Sequence, residues 1–415
     1  MKSIKSMMMG GAILFSLSMM FTSCEGALDD ILGEWSRPTP GNNTPSGGGS
    51  DSGGDSDSGG DSDSGGGSST VVASSLSITE TTLRLDKSTS QTLTLNVTPA
   101  DATVTWESKD ETVATVDASG KVTPKKAGKV TITAKSGDLD DTSTIYIYDK
   151  IWNINTDGNA DVTAGESWLI KGSATTPVAN SITIGAGATV TLNGINITQQ
   201  LSCSGDATII LADGSENKVN APDYKAGIKI GSGATTTLTI DAENAGTGQL
   251  TVKGGEDAAG IGTDLNLSGG NITINGGTVT ATGGNYGAGI GTGTISTANY
   301  ECGNITINGG TVTATGGKNG AGIGTGQSQW AHTNKCGDIT IGTGIASVKA
   351  TRGSNSDIIG KGKLVSGTQI CGKIIFGTAE VFDGSAWSPA TMVAGTYGGL
   401  NLAISGDDWT LTPAP

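Results

Sequence analysis

From about residue 75 onwards, apolar and polar residues alternate with a period of two, in short runs broken by glycine-rich corners. Residues 270–284 read GNITINGGTVTATGG, and the same fifteen letters return at 303–317, thirty-three positions later. Each copy leads into GAGIGTG, at 287–293 and again at 320–326. Within a copy, Ile272 and Ile274 point one way and Thr273 the other. After a Gly-Gly corner, Val279 and Ala281 alternate with Thr278, Thr280 and Thr282. A repeat of this length marks a stack of like units, each needing its neighbours to bury a core. Three short strands per turn, with glycines supplying the corners, predict one coil of a right-handed parallel β-helix.

The same alternation extends on both sides of the strict copies. Apolar pairs recur at Ile182/Ile184, Val190/Leu192, Ile209/Leu211, Leu238/Ile240, Ile305/Ile307, Ile339/Ile341 and Ile374/Phe376, so the solenoid is placed at 150–415. Seven or eight coils are expected, roughly 35–40 Å of stack at ~4.8 Å per strand. Open coil ends invite edge pairing, so Trp152 and Trp168 at one end, and Trp387 and Trp409 at the other, are read as caps. Residues 75–149 show a different spacing. Leu83/Leu85, Leu93/Leu95/Val97, Val104/Trp106, Val113/Val116, Val130/Ile132 and Ile145/Ile147 are divided by turn residues at the intervals of a β-sandwich. The predicted class is all-β, an Ig-like sandwich followed by the β-helix.

Composition changes the picture at the N-terminus. Residues 1–23 carry Lys2 and Lys5 ahead of an apolar run that is too short for a stable membrane span, as in an export signal. Residues 24–74 are dominated, from 36 on, by Gly, Ser, Asp, Pro, Asn and Thr, and are expected to stay disordered as a tether. The aspartates Asp51, Asp55, Asp57, Asp61 and Asp63 lack EF-hand spacing and its closing Glu. A formal charge of −15, with arginine only at Arg37, Arg84 and Arg352, leaves no basic stripe for nucleic acid.

Several segments resemble known families. Phe21-Thr22-Ser23-Cys24 resembles a bacterial lipobox, with Phe21 where Leu is usual. That implies lipidation of Cys24, and two or three acyl chains anchor stably where one is marginal. Glu25, Asp29 and Asp30 just after it resemble a signal for export to the outer surface of Gram-negative cells. Pro99, Trp106, the Ala-Thr-Val at 114–116, the Gly-x-Val at 120–122 and the strand at 127–134 resemble the bacterial Ig-like group 2 domain, which implies a rigid extracellular spacer. The GAGIG and INGGTVTATGG units are similar to large repeat adhesins. ATIILADGSENKV at 207–219, with VTLNGINI at 190–197, resembles β-helical carbohydrate-binding domains. That last likeness implies acidic polysaccharide as ligand and bound calcium, with no calcium ligand assignable to a residue.

Candidate chemistry is sparse. Cys302, Cys336 and Cys371 open CGNITI, CGDITI and CGKIIF on consecutive coils. They are read as a ladder of free thiols, with a Cys302–Cys336 bridge as the alternative; Cys203 lies apart. Zinc is not expected, since His332 is the only histidine and no CxxC occurs. A glycoside hydrolase needs paired carboxylates. Asn155-Thr156-Asp157 lies in the first coil, Asp407-Asp408 near the end, and Arg352 has no acidic neighbour in sequence, so no enzyme is predicted. Two insertions, TISTANYE at 294–301 and QSQWAHTNK at 327–335, place Tyr300, Gln329, Trp330 and His332 on adjacent coils. Sugars stack on aromatic rings while amides orient their hydroxyls, which makes these four residues the candidate ligand site. Trp330 folded back on its own coil is the competing reading. The outward threonines, such as Thr273 and Thr306, superficially resemble an ice-binding face, but threonine is also a favoured residue of solvated strands. The expectation is a lipid-anchored outer-membrane surface protein whose head binds polysaccharide or glycan. The alternative is a structural or adhesive protein without a sugar site.

Overall fold

Ile272, Ile305, Ile339 and Ile374 lie in register on four successive parallel strands, and none is exposed to solvent. That column shows how the head is built. The computed structural model describes residues 70–233, 235–383 and 392–415, and these residues contain strands and no helix. A full coil contributes one strand to each of three sheets. Sheet A begins at Lys150–Asn153 and runs through nine parallel strands to Ile374–Phe376. Sheet B starts two coils later, at Asn196–Ile197, and runs in parallel to Ile345–Thr351. Sheet C has eight short strands, from Ala160–Val162 to Ile359–Gly360. The stack is therefore about 40 Å tall at ~4.8 Å per coil.

The alternation does what the sequence predicts. Ile274, Val279, Ala281 and Ile290 are buried completely, while Thr273, Thr278 and Thr280 are half-exposed. Each buried isoleucine contributes ~1.5–3 kcal/mol relative to leaving it in water. The glycine of the Ile-Gly pair is compulsory. Gly291 has φ +137°, and a Cβ there would sit 1.8 Å from the carbonyl oxygen of Gly324, its neighbour one coil on. Corners are held by side chains as well. Asn271 Oδ1 accepts the Asn304 amide at 2.8 Å, Asn304 Oδ1 accepts that of Asp338 at 2.9 Å, and Asp338 Oδ1 accepts that of Lys373 at 2.8 Å.

Both ends are closed. Trp152 and Trp168 pack with ring centroids 5.8 Å apart, and the Lys150 ammonium lies over both rings. At the other end the chain reverses, and Asp408–Pro413 pairs antiparallel with Ile345–Thr351. Trp409 is thereby buried edge-on to Phe376, 6.3 Å between centroids. Trp387 lies outside the described residues.

Residues 75–148 form the Ig-like sandwich. Its sheets are Thr82–Asp86, Leu139–Tyr148, Gly128–Ser136 and Thr105–Ser108; Gln91–Thr92, Lys121–Pro124 and Ala114–Val116; and the antiparallel pair Ser75–Ile78 and Leu95–Thr98. Val130, Ile132, Ile145 and Ile147 fill the core, with Trp106 packed against it. The sandwich docks on the outer face of sheet A. Leu169 and Thr191 occupy outward positions of that sheet yet are only 3% exposed each. Across the joint Arg84 pairs with Glu243, Lys129 donates to Asn244, and the Asn244 amide donates to the Tyr146 hydroxyl. The Arg84 and Lys129 cations lie 5.4 and 5.8 Å from the Tyr146 ring centre.

Candidate functional site

After the third strand of a coil the chain leaves the three-sided core and returns through a fourth, smaller sheet. Its rungs are Tyr300–Cys302, Thr333–Cys336 and Thr368–Cys371, preceded by matched bridges between Ile295, Ser328 and Leu364. The sequence shows two insertions; the structure has three. The last escapes detection because its coil reads SDIIGKG where the others read GAGIGTG.

The inward column of this sheet is Tyr300, Asn334 and Gln369. Asn334 is fully buried and accepts the Thr292 hydroxyl at 2.9 Å, while its amide donates to the carbonyls of Gly293 and Gly326. Gln369 repeats the arrangement one coil on, accepting from Thr325 at 2.6 Å and donating to Gly326 at 3.0 Å. Thr292 and Thr325 in turn accept the amides of Gly326 and Gly362. The insertions are thus stapled to the core by buried amides.

Tyr300 is half-buried, and its hydroxyl is 3.2 Å from that of Thr297. It lies opposite Asn334, so it does not share a register position with Trp330. With Ser328 opposite Ile295, Trp330 falls level with Thr297. The Trp330 side chain is 66% exposed, and its backbone sits at φ +63°. At that exposure the ring is not folded back on its coil, and a bulky residue in the left-handed region is strained. Gln329 and His332 flank it, half-buried, and their backbones pin the turn. Gln329 N–H donates to Ile295, and the His332 carbonyl accepts from Thr368 and from the Ser328 hydroxyl. On the next rung Leu364 and Val365 are 53% and 58% exposed. A depression of about 290 Å³ beside this edge is lined by Tyr300, Glu301, Lys335 and Asn299 among others, with Lys335 paired to Glu301 at 3.0 Å.

The cysteines line up as expected. Cys302, Cys336 and Cys371 pair in register, and they and Cys203 are buried and free. Burial pushes the Cys371 and Cys203 thiols up to about 12. The neighbouring Cys302 thiol, together with burial, raises Cys336 well above its usual value. All four are packed in the interior of the solenoid.

The polar groups weighed for catalysis are engaged elsewhere. Asp157 closes a turn on the Asn153 amide at 2.9 Å. Arg352 pairs with Asp407 at 2.8 Å, and Asp408 with Lys349 at 2.8 Å and with the Thr351 hydroxyl at 2.6 Å. Among the described residues no three His, Cys, Asp or Glu side chains converge on a point that could hold a metal ion, so they do not fit a carboxylate-rich calcium site. Cys24 lies outside the described residues.

Comparison with known proteins identifies both parts. Residues 72–145 match the bacterial Ig-like domain of group 2, and residues 272–294 and 305–327 match the β-helix repeat. The chain carries a bacterial Ig-like domain followed by β-helix repeats. It is also similar to an uncharacterized protein of Clostridium acetobutylicum, 41% identical over 71 residues. That match covers 16% of this chain, and the chain spans about 7% of the relative's length.

Proposed function

We propose that this is a lipid-anchored surface protein whose β-helical head binds carbohydrate on an Ig-like stalk. The domain pair supports a surface-displayed, adhesive β-helical protein. The observation that carries the finer reading is Trp330, an exposed indole held in a left-handed backbone conformation at the tip of a stapled insertion. Strain of this kind persists only where the surrounding structure enforces it, and an indole face suits the apolar face of a sugar ring. Binding rather than catalysis fits the engaged carboxylates and the buried thiols. Leu364 and Val365, aliphatic and exposed beside Trp330, favour a second reading, adhesion to a protein partner.

Trp330→Gly separates the two readings. Glycine relieves the backbone, so the melting temperature should hold or rise. Retention on a polysaccharide affinity gel should fall under the first reading. Unchanged retention in Trp330→Gly and in Tyr300→Ala removes the sugar edge and leaves protein adhesion. For the anchor, Cys24→Ala should abolish incorporation of an alkynyl fatty acid and leave the precursor unprocessed. Label in the mutant would show that the acyl chain is attached elsewhere than at Cys24.

A further inference from the structure

The joint between sandwich and solenoid forms a half-open cleft of about 370 Å³, within the range of small-ligand sites, which favour domain interfaces. Tyr146 and Tyr148 line it from the Ig-like side. Thr191, Ile210, Glu243 and Asn244 line it from sheet A and the corner that follows. Two of its buried polar atoms lack a well-formed hydrogen bond to the protein: the Tyr148 hydroxyl, which has only Thr191 and Arg84 within loose reach, and the Glu243 Oε1. Tyr148 is 3% exposed, and so is the Glu243 side chain. Glu243 spends its other oxygen on Arg84 and on the Asp213 amide, so Oε1 is the free acceptor. Proteins rarely bury a hydroxyl and a carboxylate oxygen unsatisfied, and when they do the atoms are commonly completed by something bound.

We propose that this cavity binds a neutral polyhydroxylated ligand, a single sugar ring or the terminal residue of a glycan, shared between the two domains. The chemistry selects that class. Glu243 Oε1 accepts a ligand hydroxyl. The Tyr148 hydroxyl donates to, or accepts from, a second one. Ile210 and the Tyr146 ring supply apolar surface for the C–H face of the sugar. Charge around the cavity balances, with Arg84 and Lys129 against Glu243 and Asp213, so an anionic sugar gains nothing over a neutral one. Burial raises the Tyr148 phenol to about 12, which keeps it a proton donor at neutral pH. The site stands on residues separate from the Trp330 edge, and a ligand held in it would touch both domains and stiffen the joint.

The test uses the full chain, with methyl glucoside, methyl galactoside and methyl mannoside as probes and galacturonate as the charged control. At least one neutral glycoside should raise the melting temperature and give saturation-transfer signals at ~10 mM or below. Tyr148→Phe should weaken that binding about tenfold and raise the ligand-free melting temperature, because an unsatisfied buried hydroxyl is removed. Asn244→Ala should also weaken binding, and the losses in Tyr148→Phe and Asn244→Ala should persist in a Trp330→Gly background, where the insertion edge no longer contributes. The proposal falls if no neutral glycoside binds, if only galacturonate does, or if Trp330→Gly abolishes the signal. It also falls if Tyr148→Phe lowers the ligand-free melting temperature, which would make the cavity a hydrated joint.

Discussion

Asn334 reaches from the fourth sheet into the main coil and accepts the Thr292 hydroxyl at 2.9 Å, although the two residues are 42 positions apart. It is the first of two successive amide staples that turn floppy insertions into part of the stack. Asn334→Ala removes the acceptor of the Thr292 O–H and the side-chain donor to the Gly293 carbonyl in a dry interior, while Gly326 keeps the Gln369 amide. The expected loss is about 2–4 kcal/mol in urea unfolding. Thr333→Ala, next to it and half-exposed, should cost ~0.5 kcal/mol or less. Equal losses would show that the amide does not bear on stability.

Ile305→Asp places a charge in the column between Ile272 and Ile339, and should cost several kcal/mol or prevent folding. Thr306→Asp, on the outer face, should shift the melting temperature far less. Similar shifts in the two variants would refute the inward and outward assignment, and with it the coil register.

The thiol ladder predicts an alkaline weakness. Cys203 and Cys371 are held neutral up to about 12, and Cys336 is raised as well. The unfolded chain ionises its thiols near ~8.5. The stability these groups contribute is therefore complete below that value and is lost as pH rises toward 12. Melting temperature should decline from about pH 9 upwards, and the decline should be shallower when Cys302, Cys336 and Cys371 are all replaced by alanine. Native protein should also resist thiol labelling at neutral pH. Rapid labelling, or an unchanged alkaline slope in the triple variant, would contradict this account.

Arg84 joins stalk to head through the buried carboxylate of Glu243. Removing one partner of such a pair strands the other, a loss of about 2–4 kcal/mol. Arg84→Ala should loosen the joint selectively, so that a single calorimetric transition divides into one for the sandwich and one for the solenoid. A single transition merely shifted to lower temperature would mean that the joint does not depend on this pair.

Much of the architecture was legible because a period of two leaves a strong trace and the repeat copies it. Ile272, Val279 and Ile290 could be assigned to the interior from their spacing alone. The distant pairings could not. Arg352 finds Asp407 only because the last strands fold back antiparallel onto sheet B, and nothing local foretells that reversal. The docked stalk did leave a mark. Leu169-Ile170 and Ile209-Ile210 put apolar residues side by side where one of each pair should face water, and Leu169 and Ile210 lie on the face that meets the sandwich. As for the candidate edge, Trp330 is exposed on its insertion, whereas Tyr300 aligns with Asn334 because the two insertions differ in length.

The different closures at the two ends of the solenoid have an evolutionary consequence. The tryptophan pair with its lysine finishes one end, the reversed strands finish the other, and the repeated coils between stack through like faces. The number of coils is then free to drift. Duplicating one 33-residue unit, as the identical segments at 270–284 and 303–317 record, lengthens the head by a single ~4.8 Å step and disturbs neither closure. The solenoid is graduated in coils, and its length can be reset by copying alone.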